Sequence, residues 1–458
     1  MRKVKKWAAL GLACAMTLSM AACGGGDDGK TDSGSTTGGN ADSGTSGADS
    51  GASSAGGTET PAADNGASGD KTKISMAVWN GSWGEDLQKI QEDFNSKNPD
   101  IDLDIQMQTG DYSDFLGAKV AADDLPDIYL LTPYKQVQAF AEAGRLTDLS
   151  GESFVDKVYP EALEAGKGAD GTVYAYPSVY EYLGVFYNKE LFKTAGIETL
   201  PTTRDEFADA CAKLEAAGIQ PIAPTYKESW TLKHLFSALL TPFVQDDIPG
   251  FLSSLDSGEG TFDVEGIDEV FQFADIMKQY SGGNMMDQDS TSGFNALANG
   301  QAAMLVSGEF SLSTVAHANP VPDIGCFAIP VSNDAAKNKL SVDVGTCYVI
   351  NSKTEHLDLC KRVLEYMSDP EQQWIQVLTA DLGDAPPAMP YSGGVPSSAM
   401  DDYTAYCDAG NTIPWVYQQY ANGFDVTSGD IFQGYMAGAK DQATVIQELN
   451  ESYLNFIE

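Results

Sequence analysis

Three histidines, seven cysteines and 66 acidic side chains are the groups with which this chain could do chemistry, and their spacing assembles no reaction. His234, His317 and His356 never fall into an HExxH pattern, and no two of them have metal-ligand spacing. The chain has no GxSxG elbow, no GxxxxGK[ST] loop, and no GxGxxG after a strand. Its Asp-rich stretches lack the calcium-loop spacing. The adjacent Asp123 and Asp124 read as a solvated turn rather than as the facing carboxylates of a glycoside hydrolase. No catalytic residue, metal site or cofactor is therefore expected. What remains is a set of rings near strand ends and turns: Trp79, Trp83, Tyr134, Tyr180, Tyr182, Trp230, Phe310 and Trp415. Any one of them also suits a core. Together they suit a ligand with flat C–H faces and many hydroxyls, which describes a sugar.

These rings need elements to hold them. Ile74–Trp79 reads as a buried strand, followed by turn residues Asn80-Gly81-Ser82. Leu87, Ile90 and Phe94 recur at helical spacing over Asp86–Lys97. A strand over Ile101–Met107, a helix over Tyr112–Ala122, a strand at Pro126–Leu131 and a helix over Lys135–Ala143 follow. Farther on, strands are expected at Val185–Asn188, Ala302–Val306 and Thr346–Ile350. Helices are expected at Thr203–Ala217, across most of Trp230–Gln301, at His356–Met367, from Asp369-Pro370-Glu371 onward, and at Gln442–Ile457. Strands alternating with helices predict an α/β fold with a parallel, doubly wound sheet. Ligands of such sheets bind beyond the strands' carboxyl ends. That favours Trp79 and Trp83, which flank the turn after the first strand.

The chain's 458 residues suggest two lobes. The first 22 residues read as a signal peptide, with Arg2, Lys3, Lys5 and Lys6 before an apolar stretch. Leu18-Ser19-Met20-Ala21-Ala22-Cys23 looks like a bacterial lipobox, implying a diacylglycerol on Cys23. Residues 24 to about 70 are nearly all Gly, Ser, Thr, Ala and Asp, a tether with a reach of roughly 35–40 Å. A leash of that length suits the outer face of a cell membrane. The net charge of −39 makes nucleic acid and anionic membrane poor partners. Beyond Cys14 and Cys23, five cysteines remain, open to one or two disulfides or to buried free thiols.

Several stretches resemble the sugar-binding lipoproteins of ABC importers, similar in pattern to maltodextrin-binding proteins. They are Tyr174-Ala175-Tyr176-Pro177, then Gly184–Phe192, Ala195-Gly196-Ile197, Pro201-Thr202-Thr203 and Glu206-Phe207. Leu125–Ile128, Gly144–Leu149, Asn299–Met304 with Gly308, and Ser368–Gln372 extend the match in the same order. The resemblance implies two α/β lobes hinged around a cleft. Lobe 1 would take 72–180 with 346–400, and lobe 2 would take 181–345 with 401–458; residues 23–71 are the lipidated tether. It implies that Asn80, Trp83 and Glu181 contact the ligand, and that Glu309 or Phe310 stands where the family usually has a tryptophan. Trp230 and Trp415 would supply further rings. Tyr134 stands where maltodextrin binders place an acidic residue, which points to a different sugar. The expected protein is a monomer. It binds a mono- or oligosaccharide, delivers it to membrane permease subunits, and catalyses nothing. Two rivals stay open: the same fold binding a peptide, polyamine or other small polar solute, and a surface glycoside hydrolase.

Overall fold

Among the described residues the sheet is built from nine strands: β1 (Thr72–Trp79), β2 (Ile101–Gln108), β3 (Ile128–Leu131), β4 (Ala175–Asn188), β5 (Gln220–Ile222), β6 (Ala302–Gly308), β7 (Ile324–Phe327), β8 (Leu340–Ile350) and β9 (Thr412–Ile413). The structure is a computed structural model, and it describes residues 71–79, 84–108, 112–381, 387–391 and 397–457. The proposed signal, Cys23 and tether, and the Asn80 and Trp83 positions, lie outside the described residues.

Strand order is β2-β1-β3-β8-β4-β6-β5, with β7 on β4 and β9 on β8. β1 pairs in parallel with β2 and β3, and β5 with β6. The expected all-parallel sheet is corrected at its centre. β8 runs antiparallel to β3 and to β4, and β4 runs antiparallel to β6 and β7. The cause is topological: β4 and β8 are long strands that run through both halves of the sheet in opposite senses. The register slips between Pro177 and Tyr180, where a proline that cannot donate a ladder bond interrupts β4.

Three apolar clusters form on this frame. One gathers β1, β2 and β3 with Tyr176, Val179, Val344–Ile350 and residues as late as Met389. The second takes Leu183, Val185 and Tyr187 with helices between Phe192 and Met277, and receives the returning chain from Trp415 to Tyr453. The third takes Tyr182 and Phe186 with Leu305, Leu340 and Met400. Alternate residues of β4 thus feed opposite faces, as the period of a strand requires.

Local sequence sets the helix ends. The Asn188 side chain accepts from Glu190 N and Leu191 N at 3.1 Å each, so β4 passes straight into helix Lys189–Thr194. Thr203 and Glu206 form a reciprocal capping box at Arg204–Ala216. The helix expected from Asp369-Pro370-Glu371 begins instead at Gln373. Asp369 Oδ1 accepts from Glu371 N at 3.0 Å, an Asx turn that delays it. All five cysteines of the described region are free thiols, and Cys407 alone of these is exposed. No helix among the described residues is long and apolar enough to cross a membrane.

Candidate functional site

The antiparallel ladder sets Glu181 of β4 directly opposite Asp343 of β8. Residues so placed share a sheet face, and like charges there repel. Glu181 folds down over Gly345, where a Cβ would meet its Cδ at 1.9 Å; only glycine leaves room for the carboxyl. Asp343 is buried and takes three donors. They are the Tyr134 hydroxyl at 2.7 Å, Val344 N at 2.8 Å and Trp415 N at 3.0 Å. Burial pushes its carboxyl up to about 6, against the opposing pull of these hydrogen bonds.

Tyr134 joins Asp343 from the loop after β3. Its φ of 60° is rare for a residue with a side chain and costs roughly 1–3 kcal/mol. It is held there from both ends: its N donates to Ala165 O at 2.8 Å and its hydroxyl donates to Asp343. Burial, and then the Asp343 charge, drives the Tyr134 phenol far above its ordinary range.

The rings converge on a histidine. On helix Ser229–Leu240, Trp230 and His234 lie one turn apart, their rings 5.6 Å apart edge to face. Phe310 lies 5.9 Å from each. Trp415 and Tyr417, stacked at 5.5 Å, stand 6.0 and 5.0 Å from the imidazole. Burial, and then the neighbouring Lys233 charge, holds His234 well below the usual histidine range, so it is neutral near pH 7. Its Nδ1 is buried without a partner. The Glu181 charge reaches this group: behind burial, it is the largest influence keeping the Tyr417 phenol protonated. Trp230, Phe310, Trp415, Tyr417, Glu181 and Asp343 therefore form one connected neighbourhood.

The other proposed positions divide. Tyr180 is half-buried and packs at 6.4 Å against Tyr159. Trp79 is half-buried at the end of β1, edge to face with Tyr112 at 5.4 Å. Tyr182, Glu309 and Trp415 are 0, 1 and 0 % exposed. The even face of β4 packs Tyr182 against Tyr403 at 4.8 Å, and Glu309 accepts from Tyr182 N at 2.7 Å.

Sequence reading missed His234, Tyr417, Asp343 and Tyr159. Two signals were available. His234 follows Trp230 by one helical turn, and Asp343 is a lone charge inside an otherwise apolar strand. Among the described residues no group of three His, Cys, Asp or Glu could hold a metal ion.

Comparison with known proteins bears on this arrangement. A family model described as bacterial extracellular solute-binding protein matches residues 80–374, more than half of the chain. The chain belongs to that family. The multiple sugar-binding protein of Streptococcus mutans is 25 % identical over 310 residues, 65 % of this chain and 71 % of that relative. The melibiose/raffinose/stachyose-binding protein of Bacillus subtilis is 21 % identical over 273 residues, 57 % of this chain and 62 % of that one. The solved structure of the solute-binding protein RafE in complex with raffinose aligns with a TM-score of 0.72 at 22 % identity, covering 85 % of this chain and all of that one. That likeness shows the fold, a two-lobe α/β solute-binding fold. Members of this family are binding proteins.

Proposed function

We propose that this chain is the ligand-capturing subunit of an ABC importer, and that its ligand is a mono- or oligosaccharide held between two lobes. Lobe 1 comprises 72–180 with 346–400, and lobe 2 comprises 181–345 with 401–458. β4 and β8 are the crossing segments about which the lobes close. One observation carries the reading: a ring cluster around a neutral histidine shares its neighbourhood with the facing carboxylates Glu181 and Asp343. Rings pack on the apolar faces of a sugar, and carboxylates accept its hydroxyl hydrogens.

Trp230, Phe310, Tyr180, Tyr134, Trp79 and Glu181 are the proposed contacts, joined by Asn80 and Trp83 from the loop after β1. Tyr182, Glu309 and Trp415 back them. Asp343 is enclosed and occupied by three donors, so it holds the crossing and is not a hydrolytic base. No covalent step is proposed. The protein works as a monomer on the extracellular face, anchored by a lipid on Cys23 after removal of residues 1–22. Its affinity is about micromolar, near −8 kcal/mol, so that release to the permease stays fast. Titration calorimetry against neutral mono- to tetrasaccharides tests this. Trp230→Ala and Glu181→Ala proteins that bind as tightly as the parent would remove this site.

A further inference from the structure

We infer that His317 and Asp86 form a pH-dependent latch between the lobes, so that acid tightens the hold on the carbohydrate; the inference rests on the two-lobe reading above. Asp86 lies in the first turn of helix Gly84–Lys97, next to Leu87 and Ile90 of the first cluster. His317 ends helix Leu312–Ala316, whose Leu312 and Val315 belong to the third cluster. The two side chains meet: His317 Nε2 stands 3.8 Å from Asp86 Oδ2. The other ring nitrogen fixes the tautomer. Nδ1 lies 2.7 Å from Ser313 O, and a carbonyl only accepts, so Nδ1 carries the hydrogen. Nε2 is then the atom that takes up the second proton, and it faces a carboxylate. In the neutral ring two acceptors face each other, and the contact adds nothing. In the imidazolium the same contact is an ion pair.

Asp86 is 2 % exposed and the His317 side chain is 58 % exposed, so the carboxylate is shielded while the ring is open to protons. Lys89 Nζ holds Asp86 Oδ1 at 2.6 Å and anchors the carboxylate on its own helix. Helix Leu312–Ala316 carries no charged residue, and neither does helix Ser290–Ala298, which packs on it. The charges that flank them on the chain are Glu309, which accepts from Tyr182 N at 2.7 Å, and Asp323, which pairs with Lys189 at 3.5 Å. An imidazole is the side chain that changes charge between about pH 5 and pH 8. Closure brings the ring against Asp86 and opening returns it to water, so the closed form holds the added proton more tightly. The latch therefore strengthens as pH falls through that range and is lost as pH rises. With one partner more than half exposed, the effect on affinity is about two- to fivefold.

The test is calorimetry at about pH 5.5 and about pH 8 with raffinose, maltotriose and stachyose, on the full chain and on two variants. His317→Gln removes the charge at both pH values, and His317→Lys keeps it at both. Asp343, held at about 6, titrates in the same range but is common to all three proteins, so only the differences between them count. Relative to His317→Gln, the parent should bind its best sugar about two- to fivefold more tightly at the acid end and equally at the alkaline end. His317→Lys should keep that gain at both ends. A parent and His317→Gln that follow one pH course overturn the latch while the carbohydrate reading stands. Failure of every sugar to bind at either pH overturns the carbohydrate reading, and urea unfolding then decides the latch. A parent more stable than His317→Gln only at the acid end supports it, and a difference that is the same at both ends overturns it.

Discussion

Two aspartates, one in each kind of region, show how the same device is put to different use. Asp127 pins the first half of the sheet. It accepts from Ser75 N at 2.9 Å, Ser75 Oγ at 2.7 Å and Thr354 Oγ1 at 2.7 Å, joining β1, the start of β3 and the turn after β8. Asp343 likewise takes three donors, and it joins the loop after β3, β8 and the returning C-terminal segment. The difference is the setting. Asp127 is partly exposed and binds elements of a single cluster. Asp343 is fully enclosed, faces a second carboxylate, and joins segments that belong to different clusters. An enclosed carboxylate opposite a like charge works against folding, and the three donors to Asp343 oppose that cost.

The contrast breaks most visibly if either acceptor is deleted. Asp343→Ala leaves the Tyr134 hydroxyl and two backbone N–H groups without their acceptor inside the protein. Near pH 5 it should cost roughly 3–5 kcal/mol in urea unfolding and weaken sugar binding more than about tenfold, because Tyr134 loses what holds its strained backbone. Asp127→Ala should cost less, roughly 1–3 kcal/mol, and leave affinity within about twofold of the parent. Equal effects of the two substitutions on affinity would erase the distinction.

pH sharpens the same comparison. The folded-state value of Asp343, about 6, stands above its unfolded value of 3.8. The folded protein therefore holds the proton more tightly. The stability this group adds is fully present below about pH 3.8 and is lost as pH rises through about 6, a total of about 3 kcal/mol. Roughly 1–1.5 kcal/mol of it should disappear between pH 5 and pH 7.5. The cost of Asp343→Ala should accordingly shrink by about that amount over this window, measured by urea unfolding at both ends. A cost that grows with pH would reverse the assigned direction.

How far the sequence foretold this contrast depends on where apolar pattern and function conflict. β2 alternates cleanly, and β1, β2 and helix Tyr112–Ala122 were all readable to within two residues. β4 was seen only at Val185–Asn188 although it starts at Ala175, and β8 only from Thr346 although it starts at Leu340. The missed parts contain Pro177, Glu181, Gly184, Asp343 and Gly345, residues that depress strand propensity. Those same residues shape the crossing, so what hid the strands is what makes the site. The aromatic composition of the site was legible because ring chemistry needs no geometry to suggest it. The enclosure of Tyr182 and Trp415 was not, because burial there depends on partners remote in sequence, Tyr403 against Tyr182 and His234 against Trp415.

The smallest expected effect concerns a link that borders this region. Lys135, one residue after Tyr134, pairs with Asp256 at 3.0 Å, and the other Asp256 oxygen accepts from the Tyr453 hydroxyl at 2.6 Å. The helix carrying Lys135 belongs with the first cluster, and Asp256 and Tyr453 lie with the second. Each partner of the pair is about a third exposed, at 35 % for both side chains, so water screens it and its coupling should be no more than about 0.5–1 kcal/mol. A double-mutant cycle of Lys135→Ala and Asp256→Asn, read by sugar affinity and by unfolding, isolates that coupling. If the pair forms only when the lobes are closed, the coupling should appear in affinity, as a loss of about two- to fivefold, and be nearly absent from unfolding of the ligand-free protein. A coupling of equal size in both measurements would mean that the pair is a fixed brace. Closure would then turn on Asp343 and the crossing strands.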